Sequence, residues 1–211
     1  MRVAVVGSTG HTGTQVVSQA LARGHQVIAV ARHPHVAARQ DARLVSMAGD
    51  VLDQNSMIRA LADAEGVVSA LGIGASRNPT VVYSQGTANI LRAMDAHAIQ
   101  KLAVISAAPV APRAEQPLLQ RRIVMPILER IFGATYDDMR RMEAELDRSE
   151  LVWVSLRPPR LLDKPATGSY RLDADRPLPK ARSITYADLA AALLDCLDRE
   201  DLNRRAVSVA N

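Results

Sequence analysis

The sequence predicts an α/β protein built on one doubly wound parallel sheet. Three observations carry that expectation. Short apolar runs alternate with helical periodicities over the first two-thirds of the chain, an order that joins parallel strands through right-handed crossovers. The run Val27-Ile28-Ala29-Val30 is apolar without interruption, as in a strand covered on both faces. The first strand ends in a glycine turn that opens directly into a helical pattern. At 211 residues the chain can form one domain, 1–211, with a sizeable core.

The elements follow in order. Residues 2–6 form the first strand, stopped by Gly7. Residues 11–23 read as a helix, with Val16, Val17, Ala20 and Leu21 on one face and Gly24 at its end. Strands follow at 26–31, 43–47, 66–71 and 101–105, with helical patterns at 55–61 and 80–97. After Ser106 the texture changes. Pro109, Pro112, Pro117 and Pro126 punctuate a segment that also holds Arg113, Arg121, Arg122 and Arg130. This predicts an irregular or short-helical lid over about 107–135. A helix at 137–148 and a sixth strand at 151–156 come next. A loop-rich, substrate-side insertion spans about 158–183, with a strand near 169–172. Thr185 caps a last helix running to Asp198, and a strand at 206–209 closes the chain.

Composition excludes several classes. The balance of 48% hydrophobic and 23% charged residues belongs to a globular protein, not a disordered one. Cys196 is the one cysteine, so neither a disulfide framework nor a thiolate zinc site can form within the chain. His11, His25, His33, His35 and His97 lack partners at metal spacing, so no metal is expected. Of the 26 basic residues, all but Lys101, Lys164 and Lys180 are arginine, spread along the chain, and aromatics are 3%. That disfavours nucleic acid as a partner, since no stacking platform is present. No apolar run approaches the roughly 20 residues of a membrane span. The chain enters its first strand with no leader pattern, so a cytoplasmic monomer or homodimer is expected.

Gly7-Ser8-Thr9-Gly10-His11-Thr12-Gly13 carries the chemistry. Gly7 allows a tight exit from the strand, Gly10 lets backbone approach a pyrophosphate, and Gly13 lets the helix pack close to the sheet. The helix start offers N–H groups and a positive dipole end to phosphates. Ser8, Thr9 and Thr12 add hydroxyls. The pattern predicts a dinucleotide. The second strand ends Val30-Ala31-Arg32-His33 with no acid before Asp41. An acid there would take the ribose hydroxyls of NAD. Arg32 can instead pair with a 2′-phosphate, supported by His33 and Arg39, which favours NADP (as NADPH). Asp50 and Val51 would border adenine, although an aspartate there can equally cap the next helix. Ala70, Leu71 and Gly72 would run beside the cofactor.

From these residues the sequence resembles the biliverdin-IXβ reductase or flavin reductase (NADPH) family, a Rossmann-type, atypical branch of the short-chain dehydrogenases/reductases. The likeness spans essentially the whole chain. It is carried by the glycine turn, Val30-Ala31-Arg32, Gly49-Asp50-Val51-Leu52, Tyr83-Ser84-Gln85-Gly86, Ala88-Asn89-Ile90, Lys101-Leu102-Ala103-Val104 and Arg141-Met142. Its most specific stretch is Pro158-Pro159-Arg160-Leu161-Leu162-Asp163-Lys164-Pro165, followed by Thr167-Gly168-Ser169-Tyr170.

The resemblance implies NADPH-dependent reduction of a flat conjugated small molecule, a flavin, quinone or linear tetrapyrrole. Flavin would then be a substrate, not a prosthetic group. The nicotinamide would lie by Ser106 and Pro158. Ser106 and Arg160 are the catalytic candidates. The family's second serine falls at Ala107, and its two histidines fall at Arg160 and Met139. Arginine is no general acid near neutral pH, but it can hold an anion. The Tyr-x-x-x-Lys pair common in short-chain dehydrogenases is absent, which disfavours alcohol–ketone chemistry; only Tyr136 and Arg140 have a cationic match to its spacing. A non-catalytic NADPH sensor of the NmrA-like type is the alternative these departures leave open.

Overall fold

The computed structural model describes residues 1–34, 41–74, 76, 78–112, 122 and 125–211. Among the described residues ten strands and five α-helices follow one another: β1 (Arg2–Val6), α1 (His11–Ala22), β2 (Gln26–Ala31), β3 (Leu44–Ala48), α2 (Gln54–Ala60), β4 (Gly66–Ser69), α3 (Ser84–Ala96), β5 (Lys101–Ile105), α4 (Met125–Arg148), β6 (Val152–Arg157), β7 (Arg160–Leu162), β8 (Arg171–Asp173), β9 (Ser183–Thr185), α5 (Tyr186–Cys196) and β10 (Arg205–Ala210).

The main sheet has the order β3-β2-β1-β4-β5-β6-β10-β8. All its pairs are parallel except β10 with β8. This is the expected doubly wound, Rossmann-type sheet. Alternation along each strand divides the core between two faces. Ala4 and Val6 of β1 join the core under α2, α3 and α4; Val3 and Val5 join the one under α1 and α5. The strand order reverses between β1 and β4, so the crevice for a ligand opens at their carboxyl ends.

Three segments differ from expectation. The helix expected at 137–148 begins at Met125 and runs 24 residues, so the later part of the expected lid is regular helix. Residues 108–110 form a single 3-10 turn; Arg113, Pro117 and Arg121 lie outside the described residues, as do His35 and Arg39. Helix α3 begins at Ser84 rather than near Thr80. Its start is capped from another helix: the buried Asp138 carboxylate of α4 accepts from Tyr83 N (2.9 Å), Ser84 N (3.4 Å) and the Ser84 hydroxyl. In the substrate-side insertion, β8 joins the main sheet, while β7 and β9 pair in parallel as a separate ribbon. Such pairings are long-range and leave little local signal.

The last helix starts as expected. Thr185 Oγ1 accepts from Asp188 N at 3.0 Å. Asp188 in turn accepts from the backbone of Thr167 and Gly168 and from Asn211 Nδ2, tying the insertion to α5. Among the described residues no helix is long and apolar enough to cross a membrane.

Candidate functional site

A groove of ≈ 680 Å³ runs along the carboxyl ends of the central strands. The glycine turn forms its floor. Gly7 has φ +83°, and a Cβ there would meet Ala70 O at 2.6 Å. A Cβ on Gly13 would stand 2.1 Å from Gly7 O. Both glycines are therefore demanded by the protein's own packing. Gly10 is not: its φ is −75°, and a Cβ would meet only Gly7 O, at 3.4 Å. Gly10 lines the groove, where a side chain would obstruct a ligand approaching the first turn of α1. The N–H groups of that turn have no intrahelical partners. The turn therefore fits a pyrophosphate.

Thirteen of the site residues expected from sequence line this one groove: Gly7, Thr9, Gly10, His11, Thr12, Arg32, Asp50, Val51, Ala70, Leu71, Gly72, Ser106 and Pro158. Three do not. Gly13 packs beneath the turn, as its role requires. Ser8 is buried; its backbone N–H and its hydroxyl both donate to Val30 O at 3.1 Å. Both donors tether the turn to β2, in contrast to the expectation that the Ser8 hydroxyl is offered to a phosphate. Arg160 is exposed on β7 and lies off the groove, whereas its neighbours Pro159 and Leu161 line it. Arg160 is therefore not among the residues that the structure gathers along the groove, in contrast to the place expected for it.

Each end of the groove is held locally. Arg32 follows β2 and is exposed at the rim, free to meet a phosphate. Asp50 Oδ1 accepts from Leu52 N at 3.0 Å, and Asp53 caps α2 through Ser56 N at 3.2 Å. The helix cap is thus Asp53, and Asp50 shapes the preceding turn. Asn89 Nδ2 donates to Val51 O at 2.9 Å, fixing Val51 against the groove. At the far end Ser106 is 2% exposed, and its backbone N–H donates to Leu156 O at 2.8 Å. Its hydroxyl has no hydrogen-bond partner among the described residues. A buried hydroxyl without a partner, facing a groove, is poised for a ligand.

The structure adds residues the sequence did not single out. Tyr186 lines the groove, and its ring stacks on His11 with centroids 4.9 Å apart and 15° between planes. The pair lies 175 positions apart in sequence, so no local pattern announces it. Tyr83, Ala107, Met139 and Leu161 also line the groove. Burial pushes the Tyr83 hydroxyl above its ordinary pKa, so it stays neutral. Tyr136 is half-buried in α4 against Phe132, and is absent from the groove lining. Arg140 is held by Asp137 at 2.6 Å. The Tyr136–Arg140 spacing therefore builds no proton-transfer pair at the site. Among the described residues no cluster of three or more histidine, cysteine or carboxylate side chains could hold a metal. Cys196 is buried, and desolvation pushes its thiol up to about 12.

Comparison with known proteins agrees with this geometry. The model of a family described as NAD(P)H-binding matches residues 7–200. The Bacillus subtilis protein YwnB is 24% identical over 217 residues, covering 100% of this chain and 99% of its own. The photosystem II assembly factor Ycf39 of Synechocystis is 30% identical over 122 residues, covering 56% of this chain and 37% of its own length. A short-chain dehydrogenase/reductase from Veillonella parvula, solved in complex with NADP, superimposes with a TM-score of 0.80 at 16% identity, covering 100% of this chain and 94% of its own.

Proposed function

The chain belongs to the NAD(P)H-binding family, and from that premise we propose that it is an NADPH-dependent reductase of a flat conjugated acceptor such as a flavin, quinone or linear tetrapyrrole. The observation that carries the reading is the unpartnered Ser106 hydroxyl, in the same groove as the glycine turn. Thr9, Gly10 and Thr12 would hold the pyrophosphate at the start of α1. Arg32 would take the 2′-phosphate, since a planar guanidinium suits that anion and no acid stands at the end of β2. Asp50 and Val51 would border adenine. Leu71, Gly72 and Pro158 would frame the nicotinamide, and Ser106 would orient the acceptor or the carboxamide. A reduced nicotinamide, when bound, supplies the hydride; the protein supplies orientation and a dry face. The NADP held by the Veillonella relative supports the choice of cofactor. NADPH is regenerated in the cytoplasm, where we place the protein.

The second reading is a protein that binds NADPH and reports on it without turnover. One observation favours it. Neither Ala107 nor Arg160, which is not among the groove-lining residues, offers an acid there, so proton supply would fall to solvent or to the hydroxyls of Ser106, Tyr83 and Tyr186. The deciding experiment is NADPH oxidation with FMN, FAD, riboflavin, a quinone and biliverdin offered in turn, and NADH as the parallel donor. Turnover with NADPH preferred is the expected result. Tight NADPH binding with no turnover on any acceptor would overturn the reductase reading in favour of the sensor.

A further inference from the structure

We infer that Tyr186 is a positioning residue of the cofactor site: its ring, stacked on His11, holds that imidazole edge-on to the pyrophosphate. The start of the last helix thereby completes a phosphate site that the glycine turn begins. This rests on the reading of the groove as an NADPH site and gives a role to a residue far outside the turn.

The packing of two helices carries the inference. His11 is the first residue of α1, and Tyr186 is the first of α5. The two helices lie side by side and start at the same end. Val16 and Ala20 of α1 share one core with Leu189 and Leu193 of α5. Gln19 Nε2 donates to Ala187 O at 2.8 Å, and Arg23 bonds Asp195 at 2.6 Å towards the far ends. Tyr186 is also fixed from the side that precedes it. Thr185 pairs with Leu162 across the β7–β9 ribbon, and its Oγ1 accepts from Asp188 N at 3.0 Å. The fold therefore sets the backbone beneath both rings.

The rings have centroids 4.9 Å apart and planes 15° from parallel, and both line the groove. A stacked contact covers one face of the imidazole and leaves its two nitrogens at the open edge. His11 is exposed and Tyr186 is half-buried, so the tyrosine is the support and the histidine the reaching group. An unsupported surface side chain loses rotamer freedom when it binds, which opposes binding. A ring already packed against it removes part of that cost. His11 follows Gly10, the glycine that the chain's own packing does not demand. An imidazole N–H donated to a phosphate oxygen there is charge-assisted and adds to the N–H groups of the first turn.

Three nucleotides test the assignment. 2′-AMP carries the adenosine and the 2′-phosphate, 2′-phospho-ADP-ribose adds the pyrophosphate, and NADPH adds the nicotinamide. Dissociation constants come from NADPH fluorescence and from its displacement by the other two, without turnover. His11→Gln should weaken NADPH and 2′-phospho-ADP-ribose about tenfold and leave 2′-AMP within about twofold of the parent. Tyr186→Leu should weaken the same two about threefold and spare 2′-AMP. Tyr186→Phe should bind all three like the parent, since the ring is what supports His11. Added to His11→Gln, Tyr186→Leu should cost less than about 1.5-fold more, because its effect passes through the missing imidazole.

Equal weakening of all three ligands by Tyr186→Leu would make its role structural and overturn the inference. So would weakening confined to NADPH, which would place the ring beside the nicotinamide. Unchanged affinity in His11→Gln would overturn it too, and that exposed position can be read even if Tyr186→Leu does not fold. Failure of the underlying readings looks different. A parent that binds none of the three would sink the cofactor reading. Intact binding with no NADPH oxidised would sink the reductase reading and leave the role of Tyr186 standing.

Discussion

Exchanging Gly13 and Gly10 separately for alanine should pull folding and ligand binding apart. At Gly13 the new Cβ would lie 2.1 Å from Gly7 O and 2.9 Å from Gly7 C and Ser8 Cα. Ordinary contact begins near 3.4 Å, so the helix and the turn must part by about 1.3 Å against close-packed surroundings. Helix α1 cannot drift freely, because Val16 and Ala20 are wholly buried on the sheet and α5 side. The expected cost is about 1–3 kcal/mol, or a fall of roughly 2–12 °C in Tm for a chain of this size.

At Gly10 the backbone is extended, with φ −75° and ψ 166°, and the nearest atom to a new Cβ is at 3.4 Å. Alanine is a poorer N-cap than glycine, by several tenths of a kcal/mol. It also lowers the entropy of the unfolded chain by a similar amount. The ligand-free Tm should therefore stay within about 2 °C of the parent. Binding should not survive so well, because the methyl points to where a pyrophosphate would approach. Thermal unfolding of both ligand-free variants and titration of NADPH fluorescence read the two effects. A Gly10→Ala protein that binds NADPH like the parent would refute the reasoning, as would a Gly13→Ala protein that melts like it.

Three further outcomes are expected. Arg32→Glu should weaken NADPH by about ten- to a hundredfold and leave NADH little changed, since a charge-assisted bond is worth about 1.5–3 kcal/mol; unchanged NADPH affinity would remove Arg32 from the 2′-phosphate site. Asp138→Ala strips the acceptor from Tyr83 and Ser84 at the start of α3. It should cost about 1–3 kcal/mol in urea unfolding, with Asp138→Asn milder. Burial raises the pKa of Asp188, but bonds from Thr167, Thr185 and Asn211 outweigh it and hold the carboxyl below its ordinary 3.8. A depressed folded value means the stabilisation is present above that ordinary value and is lost as pH falls through the folded one. Acid unfolding of Asp188→Asn should therefore show a shallower dependence on pH below about 4 than the parent; an identical acid limb would contradict the linkage.

The legible part of this protein is the part with a short-range cause. The turn from Gly7 to Gly13 follows a strand and opens a helix within a dozen residues, so its glycine roles can be read from order alone. The central strands show as apolar runs because the sheet is covered on both faces. The missing acid after β2 is likewise visible in a few letters. What the sequence could not determine depends on direction and on distant partners. Arg160 sits between two groove-lining residues, yet is itself exposed and outside the lining. Ser8 looked like a phosphate ligand until its hydroxyl met Val30 O, twenty-two positions on. Tyr186 reaches the site only because α5 packs beside α1 and sets it against His11. The Ser106 hydroxyl matters because tertiary packing buried it and left it without a partner among the described residues. Local backbone chemistry selects the elements, whereas the burial and facing of a side chain are settled only when elements far apart in sequence close on one another.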